Sequence, residues 1–165
     1  MTSPIHAAAR AAFLAQLKEL GAAAVIPTAT HKIRNDDSHY AFRPTSDFWY
    51  LTGFDEPDAC LVLLPAEDRG RPARSERDKE REIWDGRRLG VERAPRTLGI
   101  DEARDVGKLW SDLPTLLAGI ERIVWRLGDD AERDRRMTET FSLLRARARG
   151  PVAPPVALVD PGPTL

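Results

Sequence analysis

The sequence predicts an α/β fold, a single domain with a central mixed β-sheet flanked by helices on both faces. Three observations lead there. Two short apolar runs, Ala22–Pro27 and Ala59–Leu64, show no polar alternation, as strands covered on both sides do. Apolar residues elsewhere recur at helical spacing, first at Ile5, Ala9, Phe13, Leu17 and Leu20. Strand-like and helix-like segments then alternate along the chain, with no internal repeat. A length of 165 residues suits one domain and can bury a sizeable core.

Each element has a local reason. Ser3 and Pro4 suit a helix cap and first turn, and Gly21 stops the helix that follows. Ala22–Pro27 reads as a buried strand, and Thr28–Arg34 as a polar connection. Five aromatics then fall within eleven residues: Tyr40, Phe42, Phe48, Trp49 and Tyr50. Such a concentration reads as an anchor for a core or an interface. Ser46 can cap a short helix over Asp47–Thr52, with Asp47 at its positive end and Gly53 as its stop. A strand over the same residues competes, because aromatics suit strands too. Ala59–Leu64 is the clearest strand, with Cys60 as a buried, inert thiol and no disulfide available within the chain.

Residues 65–82 lack large apolar side chains, and Glu82–Trp84 starts a short strand. Pro95–Gly99 suits a turn of helix, and Glu102–Val106 a short strand. Leu109, Trp110, Leu113, Leu116 and Leu117 show helical periodicity, with Pro114 either kinking that helix or lying in its first turn. Ile120–Leu127 reads as a strand with Ile123, Val124 and Trp125 inside. Met137, Phe141, Leu144 and Ala148 line one face of a last helix, closed by Gly150-Pro151. Val156–Val159 can add a final strand. Residues 1–155 form the domain, and residues 156–165 a Pro-rich, linker-like tail.

Composition excludes several functions. The net charge of −1 gives no global attraction to nucleic acid or anionic membrane. In Arg69–Arg88, seven arginines and one lysine alternate with five acids, which reads as a solvated, mutually paired face. No run approaches the ~20 apolar residues a membrane span needs, and no signal peptide is expected from the opening residues. A reducing cytoplasm fits best. The three histidines, His6, His31 and His39, lack metal-ligand spacing. Asp36-Asp37 and Asp129-Asp130 are adjacent pairs whose side chains diverge, so turn or cap roles suit them better than a metal clamp. The residues themselves offer no catalytic constellation and no metal site.

The order of residues says more. Ser46-Asp47-Phe48-Trp49-Tyr50-Leu51-Thr52-Gly53-Phe54-Asp55-Glu56-Pro57, preceded by Arg43 and followed by the Ala59–Leu64 strand, resembles the amino-terminal domain of aminopeptidase P. A second block, Glu82-Ile83-Trp84-Asp85-Gly86-Arg87-Arg88-Leu89-Gly90, occurs in the same family order, and weaker similarity runs from about residue 10 to about residue 160. The resemblance implies a helix-flanked central sheet and a link to metal-dependent Xaa-Pro aminopeptidases of the creatinase/prolidase superfamily. Full-length members use two divalent ions, usually manganese, held in a carboxy-terminal catalytic domain that is absent here. No residue of this chain matches a ligand, so the chain alone is expected to be inactive and to carry no cofactor.

The resemblance gives two residues a substrate-binding role, in trans from a neighbouring subunit: Trp84 as a pocket wall and Asp37 in a polar network. Tyr40, Arg43 and Trp49 are assigned to structure or interface. A homo-oligomer is expected, with an aminopeptidase P catalytic domain as a further candidate partner. The implied work is assembly and substrate-pocket completion. The alternative is a free-standing module that binds a full-length aminopeptidase P or another protein. One departure stands out. Family members return through a small-Val-Leu-Phe strand before the tryptophan block, which this sequence lacks. A sheet lacking that strand would leave its neighbour with an unpaired edge; the alternatives are a polar segment that still pairs there, a mobile loop, or residues missing from the sequence.

Overall fold

The computed structural model describes residues 4–30, 33–35, 38–65, 81–85, 92–149 and 152–162, with backbone alone at 33–35, 38–39 and 81–85. It is the predicted α/β domain. Helix α1 spans Pro4–Leu20 and strand β1 Ala22–Pro27. A small antiparallel pair follows, β2 (Ile33–Asn35) and β3 (Ser38–His39), where the sequence suggested only a polar connection into the aromatic stretch. Helix α2 covers Ser46–Thr52, so the competing strand is ruled out there. Then come β4 (Cys60–Leu63), β5 (Arg81–Asp85), α3 (Ala94–Leu98) and β6 (Glu102–Asp105). A 3-10 turn leads into α4 (Leu109–Leu116), β7 (Arg122–Val124), α5 (Ala131–Arg147) and β8 (Ala157–Val159).

Six strands form one mixed sheet in the order β6-β5-β4-β1-β7-β8. β4 runs antiparallel to both β1 and β5, while β1–β7, β5–β6 and β7–β8 are parallel. Of the options left open for the edge of β4, pairing by a polar segment is the one that forms. β5 fills that edge, setting Cys60 opposite Trp84 and Leu61 opposite Ile83. A ladder joins backbone groups, so a charged strand such as Arg81–Asp85 pairs as readily as an apolar one. Residues 66–80 lie outside the described residues.

Residue parity divides the core. Ala22, Ala24 and Ile26 of β1 and Leu61 and Leu63 of β4 face α1, α2 and α3, where they meet Phe13, Leu17, Phe48, Leu51 and Leu98. Ala23, Val25, Cys60, Val62 and Ile123 face α4 and α5, against Leu113, Leu117, Met137 and Leu144. Both faces of these strands are therefore apolar, which explains their unalternating sequence.

Several boundaries differ from expectation. Thr45, not Ser46, precedes α2, and its hydroxyl donates to the Pro27 carbonyl at 3.1 Å rather than to the helix. Gly53 ends that helix in the left-handed region at φ 65°, as its sequence position suggested. Pro114 lies inside α4, beyond the first turn. The strand expected over Ile120–Leu127 is confined to three residues, although Ile123, Val124 and Trp125 are all buried as predicted. Helix α5 ends at Arg147 with Ala148 as its cap, ahead of Gly150-Pro151, which lie outside the described residues. The final strand forms as β8 and pairs with β7.

Arg10 was invisible to periodicity. It is fully buried on the apolar face of α1. Its guanidinium donates to Leu51 O at 2.6 Å, Leu98 O at 2.8 Å and Gly99 O at 3.1 Å. These are the carbonyl ends of α2 and α3, where helix dipoles favour a cation. One side chain thus ties three helices together.

Candidate functional site

The aromatic stretch splits between core and surface. Phe48 and Phe54 are buried and meet edge to face, with ring centroids 6.3 Å apart. Tyr40, Trp49 and Tyr50 are exposed, together with Ile5 on α1. His6 joins the two helices there. Its Nδ1 lies 2.9 Å from Tyr50 O, and its ring stands edge-on to Trp49 at 5.8 Å. Gly53 makes that approach possible, since a Cβ at this position would sit 2.5 Å from the His6 ring. The result is a solvent-facing aromatic surface held by α1 and α2.

The other predicted residues are placed as follows. Arg43 is exposed on the segment before α2. Trp84 sits in β5, with Cys60 and Arg104 as its cross-strand neighbours. A central position in the ladder fixes its backbone. Asp37 lies outside the described residues. His31 also lies outside them. Among the described residues no three His, Cys, Asp or Glu side chains gather as a metal site would require. Asp130 acts as the α5 cap, accepting from Arg133 N at 3.0 Å, in keeping with the cap role read from its sequence. Burial pushes the Cys60 thiol up to about 12, as an inert core thiol requires.

Two clefts were not foreseen. The larger, about 300 Å³, lies beyond the carboxyl ends of β1 and β7 and is bounded by Thr28, Asp47, Trp125, Arg126, Asp129 and Arg133. Arg126 Nη2 donates to Asp47 Oδ2 at 2.6 Å. That bond, ahead of the surrounding carboxylate charge, raises the affinity of the guanidinium for its proton. Arg133 Nη1 donates to Thr28 O at 2.6 Å. A second cleft of about 260 Å³ shares Pro27, Trp125 and Arg133 with the first and reaches Trp110 and Cys60. Trp125 is the wall between them, anchored by Nε1 donating to Asp134 Oδ1 at 2.8 Å. No sequence motif signals either cleft, because Asp47 and Arg126 meet across 79 positions. No helix among the described residues is long and apolar enough to cross a membrane.

Residues 6–125 match the family described as "Aminopeptidase P, N-terminal domain". The chain is 36% identical over 155 residues to a Xaa-Pro aminopeptidase of Escherichia coli, covering 92% of this chain and 35% of that protein. It is 46% identical over 91 residues to the Xaa-Pro aminopeptidase of Haemophilus influenzae, covering 54% and 21%. Among solved structures, proline aminopeptidase P II from Yersinia pestis superposes with a TM-score of 0.82 at 31% identity, over 99% of this chain and 38% of that one. A zinc-substituted Escherichia coli aminopeptidase P in complex with product gives 0.81 at 31% identity, over 96% and 37%. The chain spans about a third of the length of the first of these relatives and of both structures.

Proposed function

This chain belongs to the aminopeptidase P family, matching its N-terminal domain, and from that premise we propose that it is a non-catalytic part of a metal-dependent Xaa-Pro aminopeptidase. Its work is oligomer assembly and completion of a substrate pocket. One observation carries the reading: nearly the whole chain matches the N-terminal third of such enzymes, while its described residues gather no metal ligands. Two divalent ions, manganese in this reading, supply the hydrolytic chemistry when bound. Among the described residues, no group of carboxylates and histidines gathers as that task requires. Asp47 is committed to Arg126 and Asp130 to the α5 cap. In this reading the ions belong to a catalytic domain outside these residues.

Assembly would use the exposed Ile5 of α1 and Trp49 and Tyr50 of α2, with Tyr40 and Arg43 exposed on the segment before α2. Exposed aromatics of this kind are enriched at interfaces. A second copy of the chain is the expected partner, alongside the catalytic domain. Trp84 supports pocket completion because an indole packs well on an apolar side chain or a proline ring, and β5 holds its backbone in the sheet. Asp37 is assigned to the polar network of that pocket. A lone thiol, buried as Cys60, suits a cytoplasmic setting.

The decisive experiment incubates the purified chain with manganese and an Xaa-Pro peptide. No amino acid should be released. Turnover that a chelator abolishes would reject the reading. Light scattering should give a dimer or larger species, reduced to monomer by Trp49→Ala with Tyr50→Ala. A wild-type chain that stays monomeric at high concentration would remove the assembly role.

A further inference from the structure

The larger cleft occupies a special place in the topology. β1 and β7 are adjacent and parallel. After β1 the chain passes by way of the β2–β3 pair to α2, which packs on one face of the sheet, and after β7 it passes to α5, which packs on the other. Connections that leave neighbouring parallel strands for opposite faces part above the strand ends and open a crevice there. In α/β sheets that crevice is the recurrent small-molecule site. The volume here, about 300 Å³, lies at the lower end of such pockets.

The lining is mixed. Val25, Ile26, Pro27, Trp125 and Pro161 supply apolar surface. Three carboxylates, Asp47, Asp129 and Asp130, face two guanidiniums. Arg126 is bonded to Asp47 at 2.6 Å and stands 3.9 Å from Asp129, beyond hydrogen-bond distance. Arg133 stands 3.6 Å from Asp130 and donates to the Thr28 carbonyl. Asp160 adds further negative charge near Arg126. The carboxylate with most exposure, 64%, is Asp129. In the wall, the buried Thr28 hydroxyl has no hydrogen-bond partner among the described residues.

We propose that this crevice binds a small organic cation with an apolar body, an amine of about amino-acid size. Its ammonium group meets Asp129, and its hydrocarbon lies against Pro27, Trp125 and Pro161. A carboxylate ligand is disfavoured, because acids outnumber bases in the lining and Asp47 already takes the guanidinium that would receive it. The site stands apart from the assembly reading, since none of Ile5, Tyr40, Trp49 or Tyr50 contributes to it.

The test is an NMR titration of the full chain with 3-methylbutylamine, and with 4-methylpentanoate as an anion of similar shape. The amine should shift the Trp125 indole N–H and the Thr28 and Asp129 amides saturably, and the carboxylate should not. Asp129→Asn should weaken the amine about fivefold, as expected for one exposed charge pair. Glu139→Gln, on the outer face of α5, should leave the affinity unchanged. Equal responses to amine and carboxylate, an equal effect from ammonium chloride, no saturable shift with the amine, or an unchanged affinity in Asp129→Asn would each overturn the assignment.

Discussion

Replacing Arg10 with methionine isolates what its guanidinium does. Methionine keeps an unbranched apolar stem of similar reach and removes the donors. Two buried carbonyls, Leu51 O and Leu98 O, lose charged donors at 2.6 and 2.8 Å. The Gly99 carbonyl is partly buried and can turn to water. A buried acceptor left without its partner costs about 1–3 kcal/mol, so two cost roughly 2–6 kcal/mol. Relief from burying a guanidinium offsets part of this. A net loss of about 3 kcal/mol is expected. With a urea m-value of about 2 kcal/mol/M for a small domain, the unfolding midpoint should fall by about 1.5 M at unchanged m. Arg10→Lys should also lose stability, because a single ammonium cannot span the ends of two helices as the planar fork does. A midpoint shift below about 0.5 M for Arg10→Met would refute the argument that this side chain fastens α1 to α2 and α3.

Four further outcomes follow from the geometry. Gly53→Ala should destabilise by about 1–3 kcal/mol in thermal melts, from a left-handed backbone and a Cβ driven onto the His6 ring. His6→Ala in the same chain should recover the part due to the clash. Asp47→Asn should cost at most about 1 kcal/mol in denaturant melts, because its ion pair with Arg126 is partly solvated. Cys60 should resist a thiol reagent at pH 8 until the chain unfolds. Its folded value of about 12 lies above the ordinary 9, so deprotonation begins to erode stability only as the pH rises past 9 towards 12. Hydrogen bonds from Arg135 and then Arg136 lower Glu132 from 4.5 to about 2. Its contribution is therefore complete above pH 4.5 and fades as the pH falls towards 2, and an NMR titration of the Glu132 carboxyl should find its midpoint near 2.

Much of the fold was legible because burial on both faces leaves a plain mark. Ala22–Pro27 and Ala59–Leu64 carry no polar alternation, and the structure buries nearly every residue in them. Gly53 was readable as a stop because only a left-handed residue closes α2 this way. The pairing of β5 with β4 was legible only as one option among several, since Arg81 and Glu82 look like solvated charge although their backbones sit in the ladder. Arg10 escaped for the opposite reason, being a charge placed on an apolar stripe to satisfy carbonyls from two other helices. The site was less legible still. Trp49 announced an aromatic surface, but Asp47, Arg126 and Asp129 meet only after β1 and β7 have been laid side by side.

The sheet also acts as a partition. Leu61 and Val62 are consecutive, yet one reports to α1 and α2 and the other to α4 and α5. A change of volume on one side is absorbed mainly by the helices that line that side, so paired substitutions across the sheet should add with little coupling. Descendants of this domain can therefore remodel one flank, and whatever it recognises, while the opposite flank keeps its packing.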